Sequence, residues 1–360
     1  MGRPARALID LTAIKHNYQH ARTLASGAKL LAVIKADGYG HGAIAVAHAL
    51  KEANAFAVAS IEEALELRES GIAQTIVLLE GVFSPDELPL AARLGIAIVV
   101  HSRRQLDWIL AADLKIPLGV WLKLDSGMHR LGLNADDFRT AHQQLLQCRW
   151  ARQPKLMSHL ARADETQHPY NHKQRQAFLE ATAALPGTRS LANSAAIMSL
   201  PETHFDWVRP GIMLYGATPI DPQHPASEAL RPVMRLQSGL IATRELSSGE
   251  PIGYGGRFRC ETNTRVGVVA IGYGDGYPRH APDGTPVAVN GRRTRLIGRV
   301  SMDMLTVDLT DLPDARPGDP VELWGDLVSA NEVALAAETI AYELFTGVTA
   351  RVARQYTGRD

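Results

Sequence analysis

A lysine closing an apolar run is the first residue here with chemistry to offer. The run Leu30 to Lys35 reads LLAVIK. Desolvation lowers the pKa of an ammonium group, and the neutral amine so formed can attack a carbonyl and hold it as a Schiff base. The plainer reading is a packed aliphatic stem with its charge turned out to water. Glycines follow in KADGYGHG: Gly38, Gly40 and Gly42. Their spacing fits neither a Walker loop nor a dinucleotide fingerprint, which leaves a glycine-rich turn. Other polar residues also close apolar runs. WLKLDSGMHRLG carries Lys123, Asp125 and Arg130, MSHLARAD carries His159, NSAA carries Asn193 and Ser194, and WVRPGIMLYG carries Arg209 and Gly211. Any one of these has a structural reading, and a lone histidine is more often a satisfied core residue. Four run ends converging on Lys, Arg, His, Ser and Gly are not what packing alone produces.

The elements that must position these residues read as follows. Short apolar runs span Leu30–Lys35, Ala55–Ala59, Thr75–Leu79, Ile96–Val100, Leu118–Leu124, Lys155–Leu160, Ser190–Asn193 and Trp207–Arg209. Amphipathic stretches lie between them, such as IEEALELR over 61–68, with Gly71 and Gly95 as helix stops. Buried parallel strands are continuous apolar runs, and eight alternating units predict a (β/α)8 barrel, with a doubly wound open sheet as the alternative. In a barrel the run ends lie at the C-terminal rim, where active sites assemble, and Ser194 and Gly211 follow strands seven and eight, a frequent place for a phosphate. After Gly216 the pattern changes. A proline-rich linker gives way to strand-like runs over 234–243, 266–272, 287–289, 305–309 and 321–324, with one helix near Asn331–Tyr342. The fold class is α/β, a barrel over residues 10–220 followed by a mainly-β domain over 231–360. The opening ARALIDL is expected to pair with that second domain as a strand over residues 3–9.

The composition sets the outer limits. The 360 residues are 46% hydrophobic and 21% charged, with 38 basic and 38 acidic side chains. Balanced charge argues against a nucleic-acid or anionic-membrane partner. The basic cluster at Arg292, Arg293 and Arg295 reads as a solvated hairpin. Two cysteines, Cys148 and Cys260, form neither a disulfide framework nor a metal motif. The start lacks a signal-peptide core and no apolar run is of membrane length, so a cytoplasmic location is expected.

On these motifs the chain resembles the alanine racemases. VIKADGYGHG is similar to that family's cofactor-lysine motif, and the likeness continues through KLDSGMHRLG, MSHLARAD, RPGIMLYG, GYGGRF, AIGYGDGYPR and GRVSMDMLTVDLTDL. It covers essentially the whole chain and leans toward the short, catabolic-type enzymes of Gram-negative bacteria. NSAA stands where many relatives read NSPA, and RVARQY where many have RVPR.

The resemblance implies an isomerase that interconverts L- and D-alanine with pyridoxal phosphate. Lys35 resembles the lysine that binds the cofactor covalently. Tyr39, Ser194, Gly211, Ile212 and Tyr342 match phosphate-binding residues, with Asn193 beside them. Arg209 matches the arginine facing the pyridine nitrogen, and His159 belongs with it to the network around the second base. That base is matched by Tyr254, which in the family reaches the site from the other subunit of a homodimer. Arg130 and the Met302 backbone match contacts to the substrate carboxylate. Tyr273 and Asp303 resemble the lining of the access route, and Lys123 matches a lysine that carbon dioxide carbamylates. Racemisation needs proton removal on one face of Cα and return on the other, which two bases satisfy. By resemblance Lys35 serves the D-enantiomer and Tyr254 the L-enantiomer. The role is either D-alanine supply for peptidoglycan or alanine breakdown. The competing readings are a racemase of broader specificity, a related decarboxylase and a non-catalytic pyridoxal-phosphate carrier. Arg209 speaks against the decarboxylase, which needs an acid at that place, and the β domain speaks against the carrier.

Overall fold

The structure, a computed structural model, describes residues 2–358; residues 359 and 360, with which the expected second domain ends, lie outside the described residues. A first strand, β1 (Arg6–Asp10), leads into a helix over Leu11–Leu24 whose N-terminus is capped by the Asp10 carboxylate. Eight parallel strands then close into a barrel: β2 (Lys29–Val33), β3 (Ala55–Val58), β4 (Thr75–Leu78), β5 (Ile96–Val100), β6 (Val120–Lys123), β7 (Lys155–Met157), β8 (Arg189–Ser190) and β9 (Trp207–Val208). Their side chains are buried on both faces because helices cover the outside, which is why the strands read as unbroken apolar runs. Parallel pairing of β2 with β9 closes the ring and rules out the open-sheet alternative.

The rest of the chain forms a mainly-β unit: β10 (Met234–Leu246), β11 (Pro251–Ile252), β12 (Phe258–Arg259), β13 (Thr264–Val269), β14 (Pro286–Val289), β15 (Arg292–Arg295), β16 (Leu305–Asp308), β17 (Pro320–Trp324) and β18 (Ala353–Thr357). One sheet runs β15-β14-β17-β10-β1-β18, with β13 and β16 extending from β10. The N-terminal strand thus pairs antiparallel with β10 and parallel with β18. The basic cluster is a hairpin, turning through Asn290 and Gly291 with φ of 49° and 79°, the left-handed pair that suits such a turn.

Two expectations need correction. The helix expected near Asn331–Tyr342 is two helices, Ala330–Ala336 and Ala341–Gly347. The first ends where Glu338 turns left-handed (φ 52°) and the Thr339 N–H returns to the Ala334 carbonyl at 2.9 Å. This is a helix stop of the kind glycine usually makes, built here on a residue that gives no such signal. The barrel strands also end earlier than expected. β2 stops at Val33 and β8 at Ser190, so Lys35 and Asn193 stand in the connections just beyond them.

Candidate active site

The C-terminal mouth of the barrel opens into a cleft of about 810 Å³. Lys35, Tyr39, Lys123, Arg130, His159, Asn193, Ser194, Arg209, Gly211, Ile212 and Tyr342 all line it. Residues far apart in the chain meet because they end or follow five of the barrel strands, β2, β6, β7, β8 and β9, and Tyr342 arrives on the helix Ala341–Gly347.

Lys35 starts an unusual turn. Ala36, Asp37, Gly38, Tyr39 and Gly40 all have positive φ, between 51° and 75°. Left-handed backbone costs an L-residue roughly 1–2 kcal/mol, so neighbours must hold it. The Glu63 carboxylate accepts from the N–H groups of Ala36 and Ala59, both at 2.7 Å. Asp37 caps Ala43 at 2.9 Å, and Nδ1 of the buried His41 lies 2.8 Å from the Tyr39 carbonyl. The glycines serve close approach rather than phosphate. A Cβ on Gly40 would sit 2.2 Å from the Phe345 carbonyl, and one on Gly42 would sit 2.0 Å from the Tyr356 hydroxyl. Arg354 of the β unit donates to the Gly40 carbonyl at 2.7 Å. The turn is thereby clamped between the two lobes, with Lys35 and Tyr39 on its cleft side.

The cleft floor is cationic. Arg209 is buried and donates to the Ser190 hydroxyl (2.6 Å), to the carbonyls of Ser158 (2.6 Å) and Leu191 (3.2 Å), and to Nδ1 of His159 (3.1 Å). All four acceptors are neutral. Burial pulls the guanidinium down to about 10 and, aided by Arg209, keeps His159 well below the ordinary imidazole range. His159 is therefore neutral, accepting through Nδ1. The Lys123 ammonium is held down at about 8, first by burial and then by repulsion from Arg209, Arg130 and Lys35, against which only Glu80 acts.

At the other end, Ser194 opens the helix Ser194–Ser199, and its hydroxyl accepts from the Gly211 N–H at 2.8 Å. Any side chain at Gly211 would crowd this corner, since its Cβ would lie 2.8 Å from the Tyr39 hydroxyl. The Tyr39 ring stacks on Tyr215 at 4.8 Å and sits 5.7 Å from Tyr342.

The remaining candidates lie elsewhere. Tyr254 stands between β11 and β12 and is 69% exposed, Met302 is 52% exposed, and neither lines the cleft of its own chain. Tyr273 and Asp303 are likewise outside it. Asp303 pairs with Arg351 at 2.6 Å, and Arg351 with Arg3 also binds the buried Asp275. Residues not singled out from the sequence complete the cleft, Glu80 above all. Glu80 follows the third barrel strand, β4, so the rule that selected the other strand ends applies to it too. Glu63, Ser158 and Ser190 act one layer back, where no sequence signal marks them.

A closed parallel barrel with an amine, a buried guanidinium and a hydroxyl-lined corner at its C-terminal mouth has the architecture of a barrel enzyme. The comparisons give the family. The alanine racemase N-terminal domain matches residues 9–219 and the alanine racemase C-terminal domain residues 233–356. The alanine racemase of Pseudomonas taetrolens is 56% identical over 99% of both chains, and the catabolic alanine racemase of Pseudomonas putida is 55% identical over 99% of both. The biosynthetic alanine racemase of Pseudomonas aeruginosa has the same fold, with a TM-score of 0.96 at 50% identity over 99% of this chain and 100% of that one. The alanine racemase from Bartonella henselae with covalently bound pyridoxal phosphate superposes with a TM-score of 0.90 at 33% identity, over 99% of this chain and 100% of that one. The chain belongs to the alanine racemase family, a family of pyridoxal-phosphate-dependent isomerases.

Proposed function

We propose that this protein interconverts L- and D-alanine with pyridoxal phosphate, using Lys35 and Tyr254 as its two bases. The residues present fit the cofactor. Lys35 offers an amine for covalent attachment, and Arg209 offers a buried charge that has no acidic partner among the described residues. Ser194, Tyr39, Tyr342 and the backbone at Gly211 and Ile212 offer hydroxyls and N–H groups for a phosphate, with Asn193 fixing the start of the Ser194 helix. When bound, the cofactor acidifies the Cα proton of the amino acid by delocalising its electron pair. Arg209 would hold the cofactor's ring end, where its fixed positive charge would disfavour a proton on the ring nitrogen and so would work against transamination. Neutral His159 accepts from the Arg209 guanidinium and helps to fix its position.

Arg130 binds the substrate carboxylate from the cleft rim. Lys35 Nζ takes or returns the proton on one face of Cα and Tyr254 of the partner subunit does so on the other. The observation that carries this reading is the split between the two candidates: Lys35 lines the cleft, while Tyr254 lies outside it on an exposed corner of the β unit. A homodimer with shared sites follows, in which the partner subunit's Met302 backbone completes the carboxylate contact and the partner subunit's Tyr273 and Asp303 line the access route. Lys123, depressed to about 8, has a neutral amine available to carbon dioxide, and its carbamate would sit among Arg209, Arg130 and Lys35. Two unbridged cysteines suit a reducing cytoplasm. Among the described residues no helix is long and apolar enough to cross a membrane.

Subunit mixing tests the shared site. Lys35→Ala and Tyr254→Phe chains are each inactive as homodimers. In a heterodimer one site collects both changes and the other collects neither. Random pairing makes about half the dimers mixed, so about a quarter of the parental activity returns. No recovery with heterodimers confirmed by mass spectrometry would refute the reading.

A further inference from the structure

At the opposite mouth of the barrel, where the strands begin, lies a second cavity of about 190 Å³. Its walls come from strand starts, including Ala55, Thr75, Lys155 and Trp207, together with Gly119 and Trp121 of the fifth barrel strand, β6, and its approach. Barrel interiors are normally filled by layers of bulky branched side chains. Here one side of the lowest layer carries small side chains, Ala55, Thr75, Ala97 and Gly119, which leaves room. The other side carries the Trp121 and Trp207 indoles, edge to face at 5.3 Å. An apolar hole of about 150 Å³ holds a benzene ring, so this one takes a body of that size.

The rim is positively charged. Lys155 Nζ lies 5.5 Å from the Trp121 ring centroid, and Lys29 Nζ lies 5.5 Å from that of Trp207. Arg152 lines the same cavity. Among the described residues none of these three side chains has an ion pair or hydrogen bond. Burial, then Lys29 and Arg152, push the Lys155 ammonium down, and no carboxylate offsets them. Cations held over aromatic faces around an apolar hole, with no counterion of their own, match an anion that carries an apolar body.

We propose that the N-terminal mouth of the barrel is a second ligand site, one that takes a small monocarboxylate with a ring-sized apolar body. The carboxylate faces Lys155, Arg152 and Lys29, and the body lies against the two indoles. An α-amino acid is rejected here because its ammonium would face the same three cations, so the site does not duplicate the substrate cleft. It nevertheless shares strands with that cleft. Trp121 and Trp207 stand two residues before Lys123 and Arg209, on the same strand face, and so form the floor beneath them.

Benzoate is the probe, titrated into the holoenzyme by calorimetry and followed by indole fluorescence. Saturable binding is expected, undisturbed by saturating alanine. Benzamide, which keeps the ring and loses the charge, binds about tenfold more weakly or worse. Lys155→Met weakens benzoate by about tenfold or more and leaves racemase kcat/KM unchanged. Arg152→Gln, at an exposed position, gives a smaller loss in the same direction without any risk to the core. The proposal is overturned by the absence of saturable binding or by equal affinity for benzamide. It is equally overturned by benzoate that alanine displaces and that Lys155→Met leaves unchanged, since that ligand is in the catalytic cleft.

Discussion

The two halves of the proposed site are built in opposite ways. The barrel half is buried and fixed: Arg209 sits in four hydrogen bonds, Lys123 is desolvated, and Lys35 begins a left-handed turn clamped from both sides. The β-unit half is exposed. Tyr254 projects from a short two-stranded ribbon with Gly253, Gly255 and Gly256 at positive φ, and Met302 and Tyr273 are open to solvent. Groups that must tune a cofactor need low dielectric and a rigid frame, because electrostatic effects there are worth more than in water. A base that serves the far face of Cα needs only to be delivered there, and in the proposed dimer a protruding corner would do this. The exposure of Tyr254 is what the proposed dimer requires of a base that serves the other subunit.

The largest expected effect falls on the rigid half. Lys35→Ala removes both the covalent anchor and one base, so activity falls by at least about 10⁴-fold. In the parent protein, borohydride followed by peptide mapping places the reduced adduct on Lys35, and an adduct on any other lysine overturns the assignment. Next comes the exposed half. Tyr254→Phe lowers kcat by about 10²–10⁴-fold in both directions, while bound cofactor and Tm stay at parental values. In deuterium oxide the residual Cα exchange of this variant is faster for D-alanine than for L-alanine, and equal rates would reverse the face assignment.

A smaller and different effect follows at the floor. Arg209→Glu supports a proton on the ring nitrogen, so racemisation falls and pyruvate from transamination appears. A variant that loses racemisation without forming pyruvate would remove the tuning role and leave a packing one. The smallest effect concerns Lys123. Its folded pKa of about 8 lies below the ordinary lysine value, so the unfolded chain binds more protons between about pH 8 and 10.4. Stability contributed by this group therefore rises with pH across that window and is lost as pH falls toward 8. In carbonate-free buffer, Lys123→Met removes the rise from urea midpoints measured along the series, and a parallel pH dependence in both proteins contradicts the burial argument. Bicarbonate abolishes the same rise if the lysine is carbamylated, and intact mass reports the adduct directly.

Much of the barrel was legible because buried parallel strands leave unbroken apolar runs such as AFAV and IAIVV, and Gly71 and Gly95, with φ of 86° and 62°, stop helices where they were expected to. The strand-end polar residues were legible for the same reason, since a charge closing such a run is conspicuous. What periodicity could not show is where a pattern stops without glycine, as at Glu338, or that Lys35 stands past its strand in a left-handed turn.

The sequence by itself determined the fold class, most of the polar residues at or just past the barrel-strand ends, and, through its motif likeness, the family. Both kinds of signal are local, carried by runs of about five to ten residues whose hydropathy or identity survives without a partner. Tertiary structure alone decided the rest. Barrel closure through β2 and β9 brings Lys35 to Arg209, the pairing of β1 with β10 and β18 ties the chain's two ends together, and neutral acceptors rather than acids surround the buried guanidinium. The basic hole at the strand starts belongs here too, since Lys29, Arg152 and Lys155 read as ordinary surface cations until the barrel closes. Burial, repulsion and hydrogen-bond satisfaction depend on what lies across space, and the chain's local pattern does not contain that information until it has folded.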